Sequence, residues 1–417
     1  MLFLILGILF LSFLLQFILV AGFVRRLKLW NQPLLKDVDC PEAVVVLCLR
    51  GGDPFLSKCI GGLLTQDYPN YEVLFMVDHR EDPAMSILKK VFAESKFDRY
   101  RIEVLDSPLT TCSLKCSSLV QAVEGLPLSI EIMALLDADT VPHTTWLREL
   151  ATALEPSHVG ASTGNRWYIP TLCNHGSMIR YVWNAAAIVQ MYWYEIAWGG
   201  TLAIKIDSLK KAGILDRWRT AYGEDTMIRN ELSGIGQKVV FVPSLMMINR
   251  EECSAASFQT WVRRQLLSAR LYHPFWFLVV AHGLSSVALV IWVLLSSLLL
   301  LIRGAPWSSG SLLLALFVYQ ICLTAMLPWI ENAVCDIAKA RGEDVSWPRR
   351  PNWLLANGYA WLTQWTYSYA LTYCLFMRGF TWRGIDYEVR GPWSIKMLGY
   401  RPYKSKSRSP DESLHSI

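Results

Sequence analysis

Charge is scarce in this chain, and no residue pattern dedicated to disulfide or zinc chemistry is present. Only 18% of its 417 residues are charged, with a net excess of +5. That excess is too small to argue for nucleic acid, and no stretch interleaves basic and aromatic residues as a nucleic-acid platform does. The ten cysteines include no C-x-x-C pair. Cys112 and Cys116 stand four apart on a predicted helix, but no His or Cys set at zinc spacing accompanies them. Scattered thiols of this kind suit a reduced, cytosol-facing protein. Apolar and aromatic residues, by contrast, are abundant: 53% of the chain is hydrophobic, with 18 Trp and 17 Tyr. This composition belongs to a membrane protein with a substantial water-facing part.

Residues 2–24 run without a charge, long enough to span a bilayer. Arg25, Arg26 and Lys28 follow at once, the reverse of the order in a cleavable signal peptide. Residues 1–28 therefore read as an uncleaved anchor whose far side faces the cytoplasm. Three more apolar stretches lie toward the C-terminus, at Phe275–Ile302, Ser311–Ile330 and Trp353–Met377. The third is weakened by Asn357, Gln364 and many aromatics. A basic loop over 339–350 (Lys339, Arg341, Arg349, Arg350) belongs on the cytoplasmic side after two crossings. A third crossing would put the basic C-terminus outside, against the positive-inside tendency, whereas an interfacial third segment would not. The tail Lys404-Ser405-Lys406-Ser407-Arg408-Ser409 reads as a solvated end.

Between these regions, residues 41–260 alternate strand and helix patterns at βαβ spacing. Strands are predicted over Ala43–Arg50, Tyr71–Asp78, Arg101–Leu105 and Ile132–Asp139. Helices are predicted over Pro54–Leu64, Asp82–Glu94, Ser113–Val123 and Thr144–Leu154, the last with Ser/Thr capping upstream. The fold class is α/β, with a parallel, Rossmann-like sheet and right-handed connections. The aromatic stretch Tyr181–Trp198 fits equally an interfacial helix under a lipid entrance and a buried core helix. Residues 261–274 read as an interfacial helix, 275–380 as membrane helices, and 381–417 as a terminal segment with a polar tail.

The chemistry concentrates where strands end. Asp137-Ala138-Asp139 closes the apolar run Ile132–Leu136, and Asp78 closes the second strand. Parallel strands bring their carboxyl ends to one edge, so these acids can share a crevice. Two carboxylates one residue apart can hold a divalent cation and, through it, a diphosphate. Lys115 opens the helix between them, where an ammonium and a helix N-terminus both favour an anion. Trp198-Gly199-Gly200-Thr201 offers bare backbone for close approach of a ligand. Gly223-Glu224-Asp225-Thr226 is predicted to open a helix closing at Gly234. Taken singly, an acidic turn, a first-turn acid or a solvated lysine explains each of these; their ordered spacing is harder to dismiss.

The motifs VLCLRGGDP, LLTQDYPNYEVLFMVDHREDPA, Lys115–Leu119, LLDADTVP, WGGTLAIK, YGEDTMI and WRGIDYEVRG together resemble membrane-bound inverting glycosyltransferases of family 2. The resemblance is closest to the ceramide glucosyltransferase-like group. It implies a GT-A nucleotide-sugar domain that uses Mg²⁺ or Mn²⁺, a UDP-sugar donor and a membrane lipid acceptor. In this resemblance Asp78, Lys115 and Asp137 bind the nucleotide-sugar, Asp139 ligates the metal, and Asp225 is the general base. Arg264 and Gln265 would face the diphosphate, and Trp198, Gly199, Gly200, Glu224 and Trp261 would border the acceptor. The chain departs from the family at Leu267-Ser268, where Arg-Trp is expected. Arg263 or Arg264 could restore the charge and Trp261 the aromatic face, or these arginines could anchor a helix to lipid phosphates. The expected activity is transfer of one sugar, glucose foremost, with inversion. The alternatives are a processive polysaccharide synthase and a non-catalytic nucleotide-sugar or lipid binder. Nothing in the sequence sets the oligomeric state.

Overall fold

A computed structural model describes residues 2–348 and 352–403; Arg349, Arg350 and the tail from Lys404 lie outside the described residues. The chain starts with α1 (Leu2–Leu29), then β1 (Ala43–Leu49), α2 (Leu56–Leu63), β2 (Tyr71–Val77), α3 (Pro83–Ala93), β3 (Tyr100–Val104), α4 (Leu114–Glu124), β4 (Ile132–Leu136) and α5 (Trp146–Leu154). It continues with β5 (Val159–Tyr168), α6 (His175–Tyr194), β6 (Thr201–Lys205), α7 (Ile206–Lys211), α8 (Ile214–Trp218), α9 (Ile228–Ser233) and β7 (Lys238–Asn249). The long helices α10 (Ala255–Tyr272), α11 (Trp276–Ile302), α12 (Pro306–Ala340) and α13 (Trp353–Phe376) follow, and β8 (Gly379–Trp382), β9 (Ile385–Gly391) and β10 (Ser394–Met397) form a small separate sheet.

The main sheet has the order β3-β2-β1-β4-β6-β5-β7. The predicted strands at its first half are present and parallel: β1 pairs with β2 and β4, and β2 with β3. Their residues are Val/Leu/Ile-rich because both faces are covered, with β1, β2 and β4 almost wholly buried. The all-parallel expectation fails at β6, which runs antiparallel to both β4 and β5. Its short, apolar sequence looks the same in either direction, so strand polarity was unreadable there. The direction matters for the site. Thr201 pairs with Leu136, so the Trp198-Gly199-Gly200 turn arrives beside Asp137 at the same sheet edge. A parallel β6 would deliver that turn to the opposite edge.

Local capping follows the sequence in most places. Asp82, Ser113, Asn174, Ser254 and Asn352 each accept a backbone N–H at their helix start. Two expectations are corrected. Thr145 stands at the N-cap of α5, but its hydroxyl donates to Glu149 instead of capping backbone (2.6 Å). The helix expected to open at Gly223 begins only at Ile228. The Asp225 carboxylate takes the Thr226 N–H and hydroxyl, which holds residues 223–227 as a turn.

Among the described residues three helices are long and apolar enough to cross a membrane: α1, α11 and α12. The third C-terminal stretch, α13, is not among them. Both its ends are tied to the sheet domain, through His175–Tyr359 near its start (2.9 Å) and through Arg270 on the Cys374 and Leu375 carbonyls near its end. Leu355, Leu362, Trp365, Tyr369 and Tyr373 form an exposed stripe along it, the face of a helix lying along an interface. Of the two readings left open for 353–377, these ties and this stripe suit the interfacial one. The stretch 181–198 is mostly α6, which ends at Tyr194 and buries Met178, Ile179, Ala185 and Ile188.

The segment leaving α1 is held to α5 by Arg148 and by Thr152, whose carbonyl accepts from Gln32 and whose hydroxyl accepts from the Leu35 N–H. Arg148 on α5, 5% exposed, donates to the carbonyls of Leu35 and Asp67 (2.7 and 2.8 Å) and to the Asp37 carboxylate (2.7 Å). Arg148→Met keeps the aliphatic stem but removes the donor to the Leu35 and Asp67 carbonyls, at a cost of about 2 kcal/mol. The expected result is a lower midpoint of thermal unfolding and faster limited proteolysis within residues 30–40. Unchanged cleavage there would show that the segment is held by something else.

Candidate functional site

The carboxyl ends of β1, β2 and β4 and the antiparallel entry to β6 border one polar cleft of about 210 Å³. Asp78, Lys115, Asp137, Asp139, Trp198, Glu224, Asp225, Trp261, Arg264 and Gln265 all line it, so the topology brings nearly all of the sequence-nominated side chains together. Lys115, at the first turn of α4, is the hub. Its ammonium lies 2.7 Å from Asp137 and 2.6 Å from Glu224. Burial works against its charge, but Asp137 and Glu224 carry its pKa well above the ordinary lysine value. Burial also opposes ionisation of Asp137, and there Lys115, aided by Arg166 and Arg383, wins and holds it below the usual carboxylate range.

Asp139 has no such cation. Burial first, then Asp137, Glu251 and Asp53, push it up to about 7. Its contacts are weak ones, to Thr140 at 3.4 Å and Asn249 at 3.5 Å. Asp78 is buried and paired with Arg50. The Tyr400 hydroxyl donates to its backbone carbonyl, and the Tyr403 ring lies against Gly51. The nominated glycines act through backbone. The Gly199 N–H donates to Asp225 Oδ2 at 2.9 Å, and a Cβ at 199 would stand 2.0 Å from Glu224 Oε1. No other residue fits between the two acids. Gly200 is equally constrained, its Cβ position lying 2.9 Å from Asp137 Oδ2.

Glu224 and Trp261 border this cleft and not the second cavity described next. Glu224 is committed to Lys115, with burial raising it to about 7 against the lysine's pull. Trp261 packs under the Arg166 guanidinium, 4.8 Å from the ring centre. In place of the expected Arg-Trp, Leu267 is fully buried and Ser268 donates to Thr226 (2.9 Å), bracing the Asp225 turn from α10. Arg264 projects into the cleft, while Arg263 turns away onto Tyr373 (4.0 Å).

A second cavity of about 310 Å³ lies between α1, α6, α10, α11, α12 and α13. It is largely apolar, lined by side chains such as Val182, Ala186, Val279, Leu323 and Leu327. Arg166, Trp198, Asp225, Gln265 and Ser268 border both cavities. Asp225 therefore stands in the wall where a polar cleft meets an apolar chamber.

Several cleft residues were missed from sequence: Arg166, Glu251, Trp382, Arg383 and Tyr387. The motif holding the last three was noticed but given no role. It folds as the β8–β9 hairpin, whose two-residue turn puts Arg383 (φ 45°) and Gly384 (φ 79°) in the left-handed region. Arg383 donates to the Arg50 carbonyl, Arg50 returns the bond to the Arg383 carbonyl (2.8 and 2.9 Å), and Arg383 lies 3.6 Å from buried Asp53. Arg383→Gly preserves the turn and deletes only the guanidinium. We expect faster amide hydrogen exchange across residues 379–391 with exchange of β1 and β4 unchanged; equal protection in both proteins would mean that the guanidinium does not hold the hairpin.

Among solved structures, a mannosyltransferase, PcManGT from Pyrobaculum calidifontis, in complex with GDP-Man and Mn²⁺, shares the fold at 16% identity. That match covers 90% of this chain and 99% of that one, with a TM-score of 0.50. GalNAc-T7 with UDP, GalNAc and Mn²⁺ matches at 11% identity over 56% of this chain and 51% of that one, TM-score 0.39. Glucosyl-3-phosphoglycerate synthase from Mycobacterium tuberculosis, in complex with Mn²⁺, UDP and glucosyl-3-phosphoglycerate, matches at 12% over 57% and 85%, TM-score 0.36. No curated protein sequence matches. The glycosyl transferase family 21 profile matches residues 13–392, which takes in the sheet domain, the membrane-capable helices and the hairpin, and the chain belongs to that family of glycosyltransferases.

Proposed function

We propose that this glycosyltransferase moves one hexose, glucose foremost, from a UDP-sugar to the hydroxyl of a membrane lipid with inversion at the anomeric carbon. The observation that carries the reading is the position of Asp225 in the wall shared by the polar cleft and the apolar chamber. A donor in the cleft and a lipid alcohol in the chamber would meet at that carboxylate. Its Oδ2 is oriented by the Gly199 N–H and its Oδ1 by Thr226, so the group is aimed before any ligand arrives. As general base it takes the proton of the acceptor hydroxyl as that oxygen attacks.

The donor side is assigned by charge. Asp78 would take the uridine, a role that requires Arg50 to yield or to share it. Lys115, Arg166, Arg264 and Arg383 supply positive charge for a diphosphate, and Asp137 orients the nucleotide-sugar through Lys115. A divalent cation fits beside Asp139. Its carboxylate is a hard oxygen donor, half-buried, and poor solvation together with the neighbouring acids holds its proton affinity up to about 7. Among the described residues no group of three or more His, Cys, Asp or Glu could hold a metal ion, so the diphosphate and water would complete the shell. When bound, such an ion (Mg²⁺ or Mn²⁺) offsets the charge that develops on the departing UDP.

Orientation follows from charge on the helix ends. Arg25, Arg26 and Lys28 at the end of α1, and Lys339 and Arg341 at the end of α12, lie on the sheet-domain side, whereas the α11–α12 turn carries only Arg303. The positive-inside tendency then sets the sheet domain in the cytoplasm.

Two substitutions separate the roles. Asp225→Asn should lower transfer by about a thousandfold while UDP affinity stays within about threefold, since an amide changes the base but not the donor cleft. A UDP-release assay with lipid extract and calorimetric UDP titration read the two quantities. Asp139→Ala should abolish the metal dependence of UDP binding. Identical behaviour of the two variants would overturn this division of labour, and release of UDP without any new glycolipid would overturn the lipid acceptor.

A further inference from the structure

The apolar chamber contains polar side chains, and most of them are paired with one another. Gln16 and Ser12 bond the Tyr319 hydroxyl, Gln190 bonds His282 at 2.9 Å, and Thr324 donates to Asn357 at 2.8 Å. One cluster is different. Gln364 on α13 donates to Gln320 Oε1 on α12 at 2.9 Å, which leaves Gln320 Nε2 and Gln364 Oε1 without partners. The buried hydroxyl of Thr363, the residue before Gln364 on α13, also has none. Gln320 is fully buried and Thr363 is 7% exposed, and all three residues line the chamber. None of them borders the donor cleft.

A buried amide donor and acceptor left unmade are costly, so native interiors satisfy them. Turning either amide does not help, because a single Gln–Gln bond always leaves one carbonyl and one N–H over. The unmet set is one amide donor, one carbonyl acceptor and one hydroxyl. A single neutral hydroxyl matches it: it donates once, to Gln364, and accepts from Gln320 and Thr363. No charge is called for, since no ionisable side chain belongs to the cluster. The chamber follows α12 from Tyr319 to Ile330, about 16 Å by helical rise. The cluster faces one end of that run and is distinct from the residues that frame Asp225.

We propose that Gln320, Thr363 and Gln364 form a second acceptor subsite, which binds a hydroxyl carried on the hydrocarbon portion of the lipid, set back from the hydroxyl that is glycosylated. This rests on the lipid-acceptor reading and sharpens it. The chamber selects lipids whose chains bear an internal hydrogen-bonding group over plain chains of equal length, because a plain chain would leave the cluster unpaired.

The test uses the full chain in nanodiscs with the UDP-sugar that supports turnover. Acceptors are lipid alcohols of diacylglycerol and N-acyl sphingoid type, each offered as a plain-chain form and as twins with one hydroxyl at successive acyl carbons. For the wild type, kcat/KM should favour the best-placed hydroxyl twin about tenfold, the worth of one satisfied buried hydrogen-bond set. In Gln320→Leu/Gln364→Leu, and separately in Thr363→Val, that ratio should fall toward one, whatever the absolute rate. A wild-type ratio near one at every position would overturn the subsite while leaving the lipid acceptor standing. A ratio that survives both variants would show that the hydroxyl is read elsewhere, and would also overturn it. Turnover onto a non-lipid acceptor, with no lipid glycosylated, would overturn the acceptor reading and the subsite together.

Discussion

Everything at the site depends on one half-buried ammonium. Lys115 lies between Asp137 and Glu224, and without it three acids on converging turns would repel one another in a poorly solvated crevice. The lysine fixes where β4 ends relative to the turn before α9. The Glu224 carboxylate then leaves no room for a side chain at Gly199, and the Gly199 N–H orients Asp225. The charge is only partly balanced: Asp139 remains beside Asp137, Glu251 and Asp53 with its proton held up to about 7. That residual excess of carboxylate is what a hard divalent ion would relieve.

The sheet edge follows from the pleat and from strand direction. Three parallel strands present Arg50, Asp78 and Asp137 along one rim, as the apolar runs in the sequence imply. This part was legible because a buried parallel strand has a continuous hydrophobic signature and its polar successor stands out. The reversal at β6 was not legible. Five residues, Thr201 to Lys205, carry no polarity signal, and the direction is set by tertiary pairing with β4 and β5. Yet it is the reversal that carries Trp198-Gly199-Gly200 to the acids, so the motif's presence was readable while the reason for its usefulness was not.

The residues missed share a physical trait: each is brought in from afar by an element whose own pattern says nothing about the cleft. Arg383 is more than three hundred residues from its partner Arg50, and it enters on a hairpin that reads as a plain exposed turn. Arg166 and Glu251 sit at strand-end positions of β5 and just past β7, where alternation alone marks them as surface or buried polar. Arg264 and Gln265 were recoverable only through the family resemblance, since nothing in the pattern of α10 alone singles them out. The departure at Leu267-Ser268 is accommodated by packing: Leu267 is core, and Ser268 braces the Asp225 turn through Thr226.

The membrane helices do more than anchor the sheet domain. α13 lies along α10 and α6, tied to them near both ends, so the chain returns to the side of the sheet and the β8–β9 hairpin can close over β1. A crossing helix there would carry Trp382 and Arg383 to the wrong side of the bilayer. The same arrangement walls off the apolar chamber against α12 and leaves Asp225 at its junction with the cleft. Anchor, α13 and hairpin are thus one constraint: the polar cleft opens at the rim of the sheet, the apolar chamber lies among the helices, and the Asp225 carboxylate stands where the two meet.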